Sequence, residues 1–192
     1  MQSHSNEKII KNTFLFTASL IVQKIFSFSY FWFTSSHLPP DAIGTYTWVL
    51  SYTAIFSIGM DLGLASILAR EAAKDESKAE KYLRTVYGLK IPLVVITSIV
   101  IWAVYFLAPH SAETTLMLLG ANLIIILDAF TPTAYAVLRA RQNLKYESLA
   151  YLVSEGIVMA FGITMISLTG NVFYLIIAIL LAIIFNFIFS NG

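Results

Sequence analysis

Apolar residues run in long stretches along this chain, at about 13–37, 43–68, 86–108, 114–138, 149–169 and 171–190. Each is close to the roughly 20 residues that a helix needs to cross about 30 Å of hydrocarbon. The pattern therefore predicts an all-α membrane protein, a bundle of six transmembrane helices. The breaks carry turn chemistry: Leu38-Pro39-Pro40-Asp41, the charged stretch 70–84, Pro109-His110, the run 139–145 and Thr169-Gly170-Asn171. The first stretch is too long for a signal-peptide core, contains Lys24 and lacks a small-residue cleavage site, so it reads as a retained span.

Composition agrees with that pattern. With 58% hydrophobic and 12% charged residues and a mean hydropathy of +0.77, the chain lies far from the roughly 25% charge of a soluble domain. Composition thus disfavours a water-soluble domain. The absence of cysteine excludes disulfides, thiolate metal sites and cysteine nucleophiles. A net charge of +1 says nothing about partners. Membrane lipids are expected around the bundle, and no nucleic acid is.

The twelve Lys and Arg set the orientation. Lys8 and Lys11 precede the first span. Arg70, Lys74, Lys78, Lys81, Arg84 and Lys90 are assigned to the connection after the second, and Arg139, Arg141 and Lys145 to that after the fourth. The connections 38–42, 109–113 and 169–172 carry none, so the positive-inside rule predicts a cell-membrane protein with both termini in the cytoplasm. Within 71–84 the residues favour a short helix, with Glu80 and Arg84 spaced to pair. Its acids nearly balance its bases, which suits a solvated connector better than a headgroup site.

Four charges are assigned to span interiors, Lys24, Asp61, Asp128 and Glu155, with Lys90, near the start of the third stretch, counted with the basic connection. Each costs about 2.5–3.5 kcal/mol there unless it faces protein or water. Lys24 and Asp128 are near mid-depth, Asp61 and Glu155 about two turns from the cytoplasmic side. Residues three, four or seven apart share a helix face. That groups Thr13, Thr17, Lys24, Ser27 and Thr34 on span one, Thr53, Ser57 and Asp61 on span two, and Ser148, Tyr151, Glu155 and Gly162 on span five. These faces are predicted to point inward together, so Lys24, Asp128, Glu155, Ser27 and Thr17 become candidates to line a cavity. Asp128, Glu155 and Asp61 are candidates for ion coupling. A Lys24–Asp128 ion pair that only fixes helix register is the competing reading. Pro132 cannot donate to the carbonyl of Asp128, so a kink is expected there. Trp32, Trp48 and Trp102 read as interface belt and packing rather than as a sugar-stacking platform.

Catalysis is not expected. His4, His37 and His110 lie outside the spans or at their outer ends, no phosphate-binding loop or HExxH occurs, and the outer connections offer only Asp41 and Glu113. No metal or cofactor is expected either.

Gly44-Thr45-Tyr46, then Asp61-Leu62-Gly63-Leu64, then Arg70-Glu71 resembles the start of polysaccharide biosynthesis flippases of the multidrug/oligosaccharidyl-lipid/polysaccharide exporter superfamily. Asn143, after Arg139-Ala140-Arg141-Gln142, resembles that family's loop between helices four and five. The resemblance implies one six-helix lobe of a two-lobe transporter of twelve to fourteen helices. Ending at Gly192 without a basic tail, the chain is expected to be an N-terminal lobe whose C-terminal lobe is missing. The implied activity is alternating-access flipping of a polyprenyl-diphosphate-linked oligosaccharide, with Lys24 meeting the diphosphate. A cation-coupled drug or metabolite exporter and a non-transporting membrane scaffold are the alternatives.

Overall fold

Proline, glycine and asparagine set most of the helix ends in the computed structural model, which describes residues 2–140 and 144–191, with side chains at residue 14 and from 17 onward. The Thr13 side chain and Arg141, Gln142 and Asn143 of the basic run lie outside the described residues. Helix α1 (Gln2–His37) gives way at Leu38-Pro39 to α2 (Pro40–Asp61). Pro40 sits in the first turn of α2, where a missing N–H leaves nothing unpaired. Ahead of α5 (Ala112–Ala140), the Ser111 hydroxyl accepts the Thr114 N–H at 3.1 Å. Gly170, at φ +62°, closes α6 (Lys145–Thr169). The Asn171 side chain then accepts the Phe173 N–H at 2.8 Å and opens α7 (Phe173–Asn191).

The second span departs from expectation. It does not continue as one helix to residue 68: Leu62 and Gly63 both adopt left-handed backbone, at φ +47° and +79°, and α2 stops. Gly63 takes this conformation without a steric penalty, so the Asp-Leu-Gly-Leu motif is a corner. After it, α3 (Leu64–Lys74) buries Ala65, Leu68 and Ala72 against α5 and leaves Ile67 and Arg70 exposed. The expected connector helix at 71–84 is likewise divided. Its first residues end α3, a 3-10 turn covers Glu76–Lys78, and the rest begins α4 (Ala79–Tyr105). The Glu80–Arg84 pair forms there, Nη2 to Oε1 at 2.7 Å, on an exposed face.

Five stretches among the described residues are long and apolar enough to cross a membrane: Pro40–Lys74, Glu76–Tyr105, Ala112–Ala140, Lys145–Thr169 and Phe173–Asn191. With the 36-residue α1 this is an all-α bundle. α5 packs against α2, α3, α4 and α7, and α6 lies between α7 and α1. α1 rests mainly on α6 and hardly touches its sequence neighbour α2. Val49, Met60, Ile101, Met117, Leu118, Tyr135 and Leu175 fill the core, while Ile55, Ile58, Ile99 and Leu168 face outward, as a lipid-facing surface requires.

The α1–α6 seam depends on a glycine. A Cβ on Gly162 would lie 2.2 Å from the Tyr30 hydroxyl and 2.7 Å from two ring carbons, so this close approach requires the absence of a side chain. Gly162→Ala is expected to cost about 1–3 kcal/mol by overpacking, read as a lower unfolding temperature in detergent. Tyr30→Leu in the same chain should recover most of the loss. An unchanged midpoint in the single variant would show that α1 is not seated as described.

Candidate functional site

Five helices leave between them a cavity of about 510 Å³. α1 contributes Gln23, Ser27 and Tyr30; α2 contributes Tyr46, Thr47 and Ser51. Asp128 comes from α5, Tyr151, Ser154 and Glu155 from α6, and Asn186 from α7. Polar side chains tie its walls together. The Ser27 hydroxyl donates to Glu155 Oε1 at 2.7 Å, linking α1 to α6. The Tyr135 hydroxyl donates to Asn186 Oδ1 at 2.6 Å, linking α5 to α7. Ser154 donates to the Ala182 carbonyl at 3.3 Å. The Tyr30 hydroxyl is buried with no hydrogen-bond partner among the described residues. Each link satisfies a polar group that hydrocarbon could not.

Asp128, Glu155 and Ser27 thus come together around one space, and Ser148, Tyr151 and Gly162 share the inward face of α6. The polar face assigned to α1 divides. Ser27 and Thr34 line the cavity, whereas Thr17 and Lys24 are exposed and border a separate open cleft with Leu20, Ile21 and Phe28. Lys24 and Asp128 are therefore not an ion pair. Helical phase groups residues on a face, but the packing of α1 against α6 decides which part of that face looks inward. The ionisable groups on the wall are Asp128, Glu155 and three tyrosines, with no Lys or Arg.

Asp61 has another partner. Lys90, assigned from the sequence to a basic connection, lies well inside α4 and is 0% exposed. Its ammonium pairs with the Asp61 carboxylate and donates to the Ala129 carbonyl. The apolar run that buries it starts before position 90 and continues through Pro92, and that was the signal that could have separated it from the solvated bases. The Ala129 carbonyl is adjacent to Asp128 and within one turn of Pro132, through which α5 stays helical. Pro132 thus lies where a buried ammonium meets the α5 backbone.

Nearer the basic end, Glu147 is 0% exposed. Arg139 grips both of its oxygens, through Nε at 2.9 Å and through Nη2, the bidentate geometry that a guanidinium makes with a carboxylate. This pair was hidden in the sequence because both residues flank a short connection.

An apolar outer surface around a bundle that holds a cavity with two carboxylates on its wall describes a multi-pass membrane protein. A family model described as "Polysaccharide biosynthesis protein" matches residues 9–191. The chain belongs to that family, as the Gly44-Thr45-Tyr46, Asp61-Leu62-Gly63-Leu64 and Arg70-Glu71 resemblance implied. No curated protein and no solved structure matches it.

Proposed function

We propose that the protein moves a lipid-linked oligosaccharide across the membrane for surface polysaccharide synthesis. The chain would form one lobe of an alternating-access pair, with the basic connections in the cytoplasm. The observation that carries the reading is the cavity: about 510 Å³ inside the bundle, with hydroxyl, amide and carboxylate groups set among apolar side chains such as Phe31, Leu50 and Val158. Hydroxyls, carboxylates and amides are the groups that exchange hydrogen bonds with sugar hydroxyls. A diphosphate would be repelled by Asp128 and Glu155, so the charged headgroup belongs outside this space. Lys24, on a neighbouring face of α1, is the cation that would meet it.

The acidic wall also favours a second reading, a cation-coupled exporter of drugs or metabolites, because two carboxylates and no base suit a cationic solute or a coupling ion. One experiment separates the two. Asp128→Asn and Glu155→Gln in the native host are expected to lower surface polysaccharide about tenfold, at unchanged membrane protein level and unchanged drug tolerance. Normal polysaccharide with lost tolerance would select the exporter. Neither effect would leave the scaffold reading, in which the cavity carries no solute.

A further inference from the structure

Thr47 and Ser51 line two spaces at once. They belong to the central cavity and also to an open cleft of about 630 Å³ between α1 and α2, at the end away from the basic connections. Ser35, Ile43, Gly44 and Trp48 complete this cleft. The cleft exists because α1 leans on α6 and leaves α2. From Pro40 at the rim to Ser51 it runs roughly 16 Å along the α2 axis.

The two hydroxyls that face both spaces are not spent on the backbone. Ser and Thr in membrane helices ordinarily donate to a carbonyl three or four residues earlier. Thr34, Ser36, Thr45, Thr53, Thr164 and Thr169 all do so here. Thr47 and Ser51, one turn apart on the same face, make no hydrogen bond among the described residues, so each keeps a donor and its acceptor lone pairs for something else.

Between them in sequence stands Trp48, 42% exposed. Its indole is braced from behind, stacked on Tyr52 at 5.2 Å and 13° and lying 5.4 Å from the His110 ring. A held aromatic surface loses little conformational entropy when a ligand lies on it. Gly44, one turn toward the rim, has nothing within 4 Å of where a Cβ would stand, which leaves the approach to the cleft open.

A fixed aromatic face, free hydroxyls and no charged side chain on the wall suit a neutral saccharide. The C–H face of a pyranose lies flat on an indole while its equatorial hydroxyls reach neighbouring donors and acceptors. An acyl chain would cover Trp48 but leave both hydroxyls unpaired. A phosphate would need a cation, and none lines the cleft. We propose that the α1–α2 cleft is a saccharide subsite, with Trp48, which its sequence position alone assigns to the interface belt, as the stacking platform and Thr47 and Ser51 as its hydrogen-bonding partners. It shares Thr47 and Ser51 with the central cavity, so that successive sugars of one oligosaccharide occupy both. This rests on the flippase reading and adds an exit-side station to it.

The test is site-specific photocrosslinking in polysaccharide-producing cells. Benzoylphenylalanine is placed at Ser35, which lines the cleft alone, or at Val158, which lines the cavity alone. Adducts are probed for periodate-oxidisable sugar and for phospholipid. A sugar-bearing adduct is expected at both positions. Trp48→Ala should reduce the Ser35 adduct about tenfold and spare the Val158 adduct, and Trp48→Phe should restore the former. A sugar adduct at Val158 with none at Ser35, or with only phospholipid or protein there, overturns the subsite and leaves the flippase reading standing. No sugar at either position overturns both.

Discussion

Asp61→Ala is expected to be among the most destabilising single substitutions in the chain, at about 3–5 kcal/mol, because it takes from the buried Lys90 ammonium the carboxylate that it directly pairs with. Lys90 is 0% exposed, and its other hydrogen bond among the described residues is to the Ala129 carbonyl. The partner substitution should cost less. Lys90→Met strands a carboxylate whose side chain is 36% exposed and which stands at the α2 corner, where water or headgroups can reach it. The double variant, Asp61→Asn with Lys90→Met, removes both charges and should recover most of the loss, since well-packed apolar groups replace buried ion pairs at little or no cost. Unfolding midpoints of the purified protein in detergent measure all three. Equal losses in the two single variants would contradict the asymmetry.

The second large effect has the opposite sense. In the Arg139–Glu147 pair the acid is the buried member, at 0% exposure, and the base is 35% exposed. Arg139→Leu should therefore cost about 3–5 kcal/mol. Glu147→Gln, which frees an arginine able to turn toward solvent, should cost about 1 kcal/mol or less. Because the contact is shielded, raising the salt concentration should change these differences little. Detergent unfolding at low and high salt reads both points. A strong salt dependence would mean that the pair is open to water.

The contrast between these pairs explains what was legible in the sequence. Hydrophobic run length depends only on local composition, so the spans and the turns at Pro39, Gly170 and Asn171 could be read directly. The corner at Leu62-Gly63 was visible as a motif but not as a break, because its neighbours are apolar enough to continue a span. Lys90 was assigned to a connection because charge counting treats every base near a span end alike, and only tertiary packing moves it inside. Lys24 failed to meet Asp128 for a related reason: periodicity establishes that Lys24 and Ser27 lie on adjoining parts of α1, and the Tyr30–Gly162 contact fixes the rotation. Asp128, Glu155 and Ser27 were legible because a polar group on an apolar helix has few places to go.

The seating of α1 also constrains the order of assembly. Its main neighbour is α6, and the Ser27–Glu155 hydrogen bond joins residues 128 positions apart. At synthesis rates of about 5–20 residues per second, α1 enters the bilayer roughly 6–26 s before the helix that it will pack on has been made. During that interval Ser27 and Tyr30 have no α6 to rest against. The nascent chain therefore passes through a stage in which its first helix is inserted but undocked, and insertion machinery or chaperones have a defined window in which to hold it.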